Sequence, residues 1–289
     1  KRQGWQGVPI DTPRIQGADV TGVVDAVGPG GDEGLVGRRV LLDPATYEND
    51  ALDADPVSIL GSEYDGGFAE YCVVAQDAVH DVTSSPLTDA ELACLPIAYG
   101  TAAGMLGRAG ATAGETVVVT GASGGVGTAL VQLASAAGLT VIAVSTPAKA
   151  VRLTELGADA VVDRGSARLA DDVAEAAAGG VHLVADVVGG PLFTLWPGVL
   201  ARRGRIVVAG GFAGPVVSID VRQLYLGQRR IIGSTMHTRE HFATLVDVAR
   251  RGAVRPPVAE VVPLERIHDA QRAIRASDTL GKVVVQVAG

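Results

Sequence analysis

Between Gln16 and Val82, short runs rich in β-branched residues alternate with turn residues; VTGVVDAV, RRVLLDP and FAEYCVVA are the clearest. Brief apolar runs punctuated by Gly, Pro and Asp predict antiparallel strands with regular breaks. The stretch DPATYENDALDADP (residues 43–56) is polar and acidic and reads as a loop between two such runs. Near Pro86 the pattern changes: SSPLTDAELACLPIAYGTAAGML offers Ser and Thr caps, with Leu92, Leu95 and Ala98 at helical spacing. After Glu115, apolar strands alternate with helical stretches. TVVVT (116–120) precedes a helix at 126–137, TVIAV (140–144) one at 149–156, and DAVV (159–162) one at 167–177. HLVADVV (182–188), RIVVAG (205–210) and RIIGST (230–235) complete six strands, with further helices at 192–200 and 240–251.

Strands that are apolar along their length and separated by helices predict a parallel sheet covered on both faces. Six of them match an α/β, doubly wound Rossmann fold. The expected organisation is a mainly-β domain over 1–96, a dinucleotide-binding domain over 97–252, and a segment 253–289, ending in KVVVQV, that rejoins the first. The chain opens on KRQGWQGVPIDTP, which reads as a loop, and an N-terminal piece is expected to precede it.

Composition narrows the function classes. With 24 basic and 32 acidic residues, the 289-residue chain carries a formal charge of −8. That balance argues against nucleic acid or an anionic membrane as partner and leaves a small-molecule substrate. Two cysteines, Cys72 and Cys94, supply neither a disulfide framework nor a four-cysteine zinc site. No run of eighteen apolar residues and no signal-peptide pattern is present, so a cytoplasmic protein is expected.

The sharpest motif is TVVVTGASGGVGTALVQLASAAG. Here the strand runs into Gly121, Ala122, Ser123, Gly124, Gly125, Val126 and Gly127, and then into a helix. Glycines in that context allow a tight turn, let backbone amides reach a pyrophosphate, and let helix pack on strand. Gly127→Asp is therefore expected to abolish nucleotide binding with the fold intact. The loop also looks like the opening of short-chain dehydrogenases. That family places it at the chain start and follows it with Tyr-x-x-x-Lys, whereas here the loop starts near 120 and Tyr225 is followed by Arg229. At the end of the second strand, where NAD sites place an acid for the ribose 2′-hydroxyl, stands Ser145. A small hydroxyl leaves room for a 2′-phosphate, with Lys149 and Arg164 as cations, so NADPH is the expected cofactor. Gly189, Gly210, Gly211 and Phe212 fall at the C-terminal ends of the fourth and fifth strands, where a dinucleotide is expected to lie.

Taken together, PRIQGADVTGVVDAVG, VGRRVLL, DGGFAEYCVV, LPIAYGTAAGML, the glycine loop, ELGADAVVD, ADVVGG and GKVVV resemble the medium-chain dehydrogenase/reductase superfamily, and within it the zinc-independent, quinone-oxidoreductase-like branch. The resemblance covers nearly the whole chain. It implies a GroES-like fold for the mainly-β catalytic domain, a missing N-terminal part, and a homodimer with RIIGST at its interface. Zinc members carry Gly-His-Glu where this chain has Gly17-Ala18-Asp19, and a cysteine where it has Ile97. Neither Ala nor Ile has a donor atom, and the 43–56 loop lacks the four cysteines of a structural zinc lobe. His237 and His241 are read as an exposed helix start, so no metal is expected. Family analogy places Thr101 beside the nicotinamide; Tyr99 on the same turn either faces the substrate or packs between the domains, and Ser234, Thr235 and Met236, at the end of the sixth strand, are expected near the carboxamide. Tyr47, Tyr64 and Asp19 are further candidates. The expected activity is NADPH-dependent hydride transfer to an enone, quinone or activated carbonyl. An enoyl-thioester reductase and a catalytically silent NADPH-binding protein remain as alternatives.

Overall fold

The computed structural model describes residues 9–275 and 279–287; residues 1–8 of the expected opening loop lie outside them. The chain forms two compact units, 1–100 with 237–289, and 101–236. It leaves the first unit within the helix Pro96–Ala109 and returns at His237. The return comes earlier than the expected residue 253, because the helix Arg239–Arg251 is tied to the first unit. Ser85 Oγ donates to Ala249 O (2.7 Å), and Arg250 Nε donates to Asp81 O (2.9 Å).

The first unit begins with strands β1 (Thr21–Val23), β2 (Arg39–Leu42), β3 (Ala45–Tyr47), β4 (Pro56–Ile59) and β5 (Val79–Asp81). β1, β2 and β5 form an antiparallel sheet, and β3 pairs antiparallel with β4. The expected 43–56 loop thus contains strand β3 and is closed by β4. FAEYCVVA is not a strand. It keeps the period-two burial of one, with Cys72 and Val74 packed against Val40, Leu42 and Leu60 while Tyr71 and Val73 are exposed. The alternation is present, but among the described residues no strand ladder pairs with the segment beyond Phe68, whose N–H donates to Gln16 O.

In the second unit, β6 (Thr116–Val119), β7 (Thr140–Ser145), β8 (Ala160–Asp163), β9 (Val181–Asp186), β10 (Leu200–Val208) and β11 (Arg230–Gly233) form one sheet. Their order is β8-β7-β6-β9-β10-β11 and every pairing is parallel. This is the doubly wound arrangement, with its reversal of strand order between β6 and β9. Val117, Val118 and Val119 are fully buried, as a central parallel strand covered by helices on both faces requires. Beyond it, β12 (Val258–Pro263) and β13 (Lys282–Gln286) pair parallel and complete the first unit. Among the described residues, no helix is long and apolar enough to cross a membrane.

One charged pair pins the N-terminal edge of the large sheet. Arg205, 5% exposed, forks onto both carboxylate oxygens of Glu115 (2.6 and 2.7 Å). Its remaining donors reach Ala109 O, Gly110 O and His182 O. The Arg205 hydrogen bonds hold the Glu115 carboxyl down at about 2, against the opposing effect of burial. A carboxylate with a depressed folded pKa contributes stability above its unfolded value of 4.5 and loses it as pH falls through about 2. Glu115→Gln is expected to cost about 3 kcal/mol at neutral pH, since each pKa unit is worth about 1.4 kcal/mol and the buried guanidinium loses its partner. Urea denaturation of wild type and variant at pH 7, 4 and 2.5 checks this, with the two curves converging at the lowest pH.

Candidate functional site

The glycine loop sits where the parallel sheet requires a site. β6 ends at Val119, Gly121 turns the chain with φ +57°, and the helix Gly125–Ala136 starts at N-cap Gly124. No side chain caps that helix end, so its first amides face outward for an anion. A Cβ on Gly127 would stand 2.1 Å from Gly121 O and 2.7 Å from Ala122 Cα. Helix and strand therefore meet backbone to backbone. This corrects the expectation for Gly127→Asp: any side chain there breaks the turn itself. Gly124 differs, because its Cβ would meet only Gly121 O at 3.4 Å and its φ is −78°.

Beside this loop, Lys149 Nζ donates to Ser123 Oγ (3.3 Å), which brings the expected cation onto the glycine turn. Ser145 ends β7 and is buried, and its carbonyl accepts from Arg164 N (2.8 Å). Arg164 is exposed. Asp163 pairs with Ser145 across β7 and β8, but its carboxylate turns back to accept from Gly165 N. At the ends of β9 and β10 the two glycine pairs interlock. Gly189 and Gly190 have φ of 64° and 66°, Gly190 N donates to Gly214 O, and Ala213 N donates to Val188 O. Gly210 and Gly211 lie in the facing loop, while the Phe212 side chain is 94% exposed. At the end of β11, Arg108 Nη1 donates to Ser234 Oγ and to Met236 O (3.1 and 3.0 Å). Met236 takes a left-handed φ of 51°, Thr101 Oγ1 lies 3.9 Å from its sulfur, and Thr235 is exposed. The second unit thus gathers the glycine loop, Lys149 and Ser145 on one side of the strand reversal. Gly189, Gly210 and the Thr101–Met236 pair lie on the other.

In the first unit several expectations change. Tyr99 is 1% exposed and its hydroxyl has no hydrogen-bond partner among the described residues, and burial pushes the phenol above its ordinary pKa. Asp19 Oδ1 accepts from Ile97 N (2.7 Å) and Oδ2 pairs with Lys282 Nζ. Tyr64 is exposed. His237 is not an exposed helix start. It is fully buried, with Nε2 3.0 Å from Asp43 Oδ1, while His241 caps the helix through Thr238. Tyr47 donates to the same carboxylate, at Oδ2 (2.7 Å), and Arg239 lies over its ring at 4.5 Å. Burial and then Asp43 push the Tyr47 phenol above its ordinary pKa. Spacing gave no sign of this set, because Asp43 and His237 are 194 residues apart. Among the described residues, no three His, Cys, Asp or Glu side chains are grouped so as to hold a metal ion.

Residues 2–84 match the alcohol dehydrogenase GroES-like domain family, and residues 125–251 match the zinc-binding dehydrogenase family. An alcohol dehydrogenase of Geobacillus stearothermophilus is 32% identical over 95% of this chain and 83% of its own length. The chain belongs to the medium-chain dehydrogenase/reductase superfamily. Within that superfamily, the acryloyl-coenzyme A reductase of Metallosphaera sedula is 31% identical over 94% of this chain and 83% of its own. Quinone oxidoreductases are further relatives. A solved structure of a putative alcohol dehydrogenase from Sinorhizobium meliloti superposes with a TM-score of 0.91 at 44% identity, over 96% of this chain and 76% of that one. The superfamily is one of oxidoreductases.

The uncapped helix end generates a direct test. Gly124→Asp supplies a favoured N-cap that leaves the helix at least as stable, yet puts a carboxylate at the end expected to receive an anion. Its melting temperature is expected to hold while the dinucleotide Kd rises about tenfold or more. Gly127→Ala is expected to lower both together. Calorimetry and fluorescence titration of the two variants check the contrast.

Proposed function

We propose that this chain is a zinc-independent, NADPH-dependent reductase that transfers hydride to an enone, quinone or other activated carbonyl. The observation that carries the proposal is the glycine loop Gly121–Gly127. It lies at an uncapped helix end beside the strand reversal, with Lys149 against it and a hydroxyl, not a carboxylate, ending β7. The bound dinucleotide would supply the hydride. Gly121 to Gly127 hold its pyrophosphate, and Ser145, Lys149 and Arg164 hold its 2′-phosphate. Gly189, Gly210, Gly211, Phe212, Thr101 and Ser234 to Met236 seat the nicotinamide half. Zinc is left out because Ala18 and Ile97 offer no donor and the Asp19 carboxylate is already paired with Lys282. Positioning and hydrogen bonds then polarise the acceptor. A second reading, reduction of an enoyl thioester, is favoured by the likeness to the acryloyl-coenzyme A reductase. We further read the protein as a cytoplasmic homodimer joined along β11, an edge strand on which Ile231 is exposed.

Turnover of NADPH by chelator-treated protein, against a panel of simple enones, quinones and acryloyl thioesters, tests the proposal. Activity that survives chelation is expected. One tightly held zinc per chain on elemental analysis, or activity only with added zinc, contradicts it. Preference for one substrate group separates the two readings.

Cofactor choice is a separate prediction. A charge-assisted contact to a partly exposed 2′-phosphate contributes about 1.5–3 kcal/mol, so NADPH is expected to bind about ten- to a hundredfold more tightly than NADH. Lys149→Ala should shrink that ratio by weakening NADPH alone. Ser145→Asp should reverse it, because a carboxylate repels the phosphate and accepts from the ribose hydroxyls of NADH. The ratio of the two dissociation constants, at low and moderate salt, is the measurement.

A further inference from the structure

Asp186 ends β9, is 1% exposed, and stands in the ADVVGG stretch without a role assigned to it above. Its carboxylate is fully subscribed: Oδ1 accepts from Val188 N (2.9 Å) and Gly189 N (2.7 Å), and Oδ2 accepts from the indole Nε1 of fully buried Trp196 (2.9 Å). Its carbonyl accepts from Ala209 N at the end of β10 (3.0 Å). One residue therefore fixes the exit of two adjacent strands, next to the strand reversal.

The turn that it holds has almost no freedom. A Cβ on Gly189 would stand 2.9 Å from Gly214 O and 3.0 Å from Gly211 Cα, and one on Gly210 would stand 2.4 Å from Val187 O. A rotation of the Val188–Gly189 amides would carry the facing loop with it. In a doubly wound sheet each half seats one mononucleotide. The glycine loop and β7 take the adenosine half, so the β9 and β10 loops take the nicotinamide half.

We propose that Asp186 is a positioning residue that, through Trp196 on one side and two backbone amides on the other, sets the seat of the nicotinamide half alone. The proposal rests on the dinucleotide reading given above. It needs a carboxylate specifically, because three N–H donors converge on two oxygens. Asparagine keeps one acceptor oxygen for the two amides and turns an N–H toward the Trp196 N–H. Removing that indole donor relieves the clash.

The test is binding of NADPH and NADH, and of ADP and 2′-phospho-ADP as adenosine-half probes, to wild type, Asp186→Asn, Trp196→Phe and the double variant. Asp186→Asn is expected to raise the Kd of its preferred dinucleotide about tenfold while the adenosine-half probes stay within about twofold. The double variant should recover dinucleotide binding to within about threefold of Trp196→Phe, although its melting temperature stays low. A purely structural role would weaken all ligands in step with stability, with no recovery. Unchanged dinucleotide affinity in Asp186→Asn, or equal loss of both ligand classes, overturns the proposal. A wild type that binds no dinucleotide overturns instead the reading on which it rests. Should Asp186→Asn not fold, Gly189→Ala displaces the same turn from its other side and is expected to give the same split.

Discussion

One close approach in the second unit, between two pieces of backbone, sets the rest. The helix that follows β6 begins so near the strand's exit that Gly127 stands against Gly121 O with no room for a single carbon. That contact sets the helix on the sheet, and the helix in turn points its uncapped amides past the strand ends. The neighbouring loops are arranged on the same terms. Gly189, Gly190 and Gly210 bring β9 and β10 together, again backbone on backbone, while Asp186 holds the β9 turn through its carboxylate and accepts from Ala209 N through its carbonyl. A site built from main chain presents amides rather than titratable groups. Its chemistry depends on the ligand that it binds.

The first unit works by the opposite rule, through side chains brought together from far apart. Asp43, Tyr47 and His237 share one buried carboxylate, and Asp19 joins Ile97 to Lys282 across most of the chain. Asp19 is held in a hydrogen-bonded ion pair next to the apolar Ile97. A carboxylate that is already satisfied by an ammonium and a backbone amide has little left to offer a metal.

What could be read from the sequence followed these two modes. The six parallel strands and the glycine turn were legible because each is a local pattern: an apolar run, a turn, a helix start. Ser145 and Lys149 were legible because they lie at fixed offsets from that turn. The second unit's limits were not, since only contacts such as Ser85 with Ala249 show that the helix Arg239–Arg251 belongs elsewhere. FAEYCVVA carries a strand's alternation without its ladder, and hydrogen-bond partners cannot be read from one segment alone. Tyr99 has a helical context that left its burial open, and His237 read as part of an exposed helix start, its partner being 194 residues away.

The way the chain is divided has a bearing on synthesis. The second unit is one continuous stretch of 136 residues, and all its strand pairings lie within it. The first unit is not continuous: residues 1–100 must wait for 237–289. At about 5–20 residues per second, a ribosome delivers the first half of that unit many seconds before its complement. During that interval the Asp43 carboxylate has no His237, and Asp19 has no Lys282. The later-made Rossmann unit can then fold before the earlier-made one, and when it does, it shortens the loop that the first unit must close. Gly100 and His237, whose close packing leaves no space for a Cβ, are the two ends of that loop.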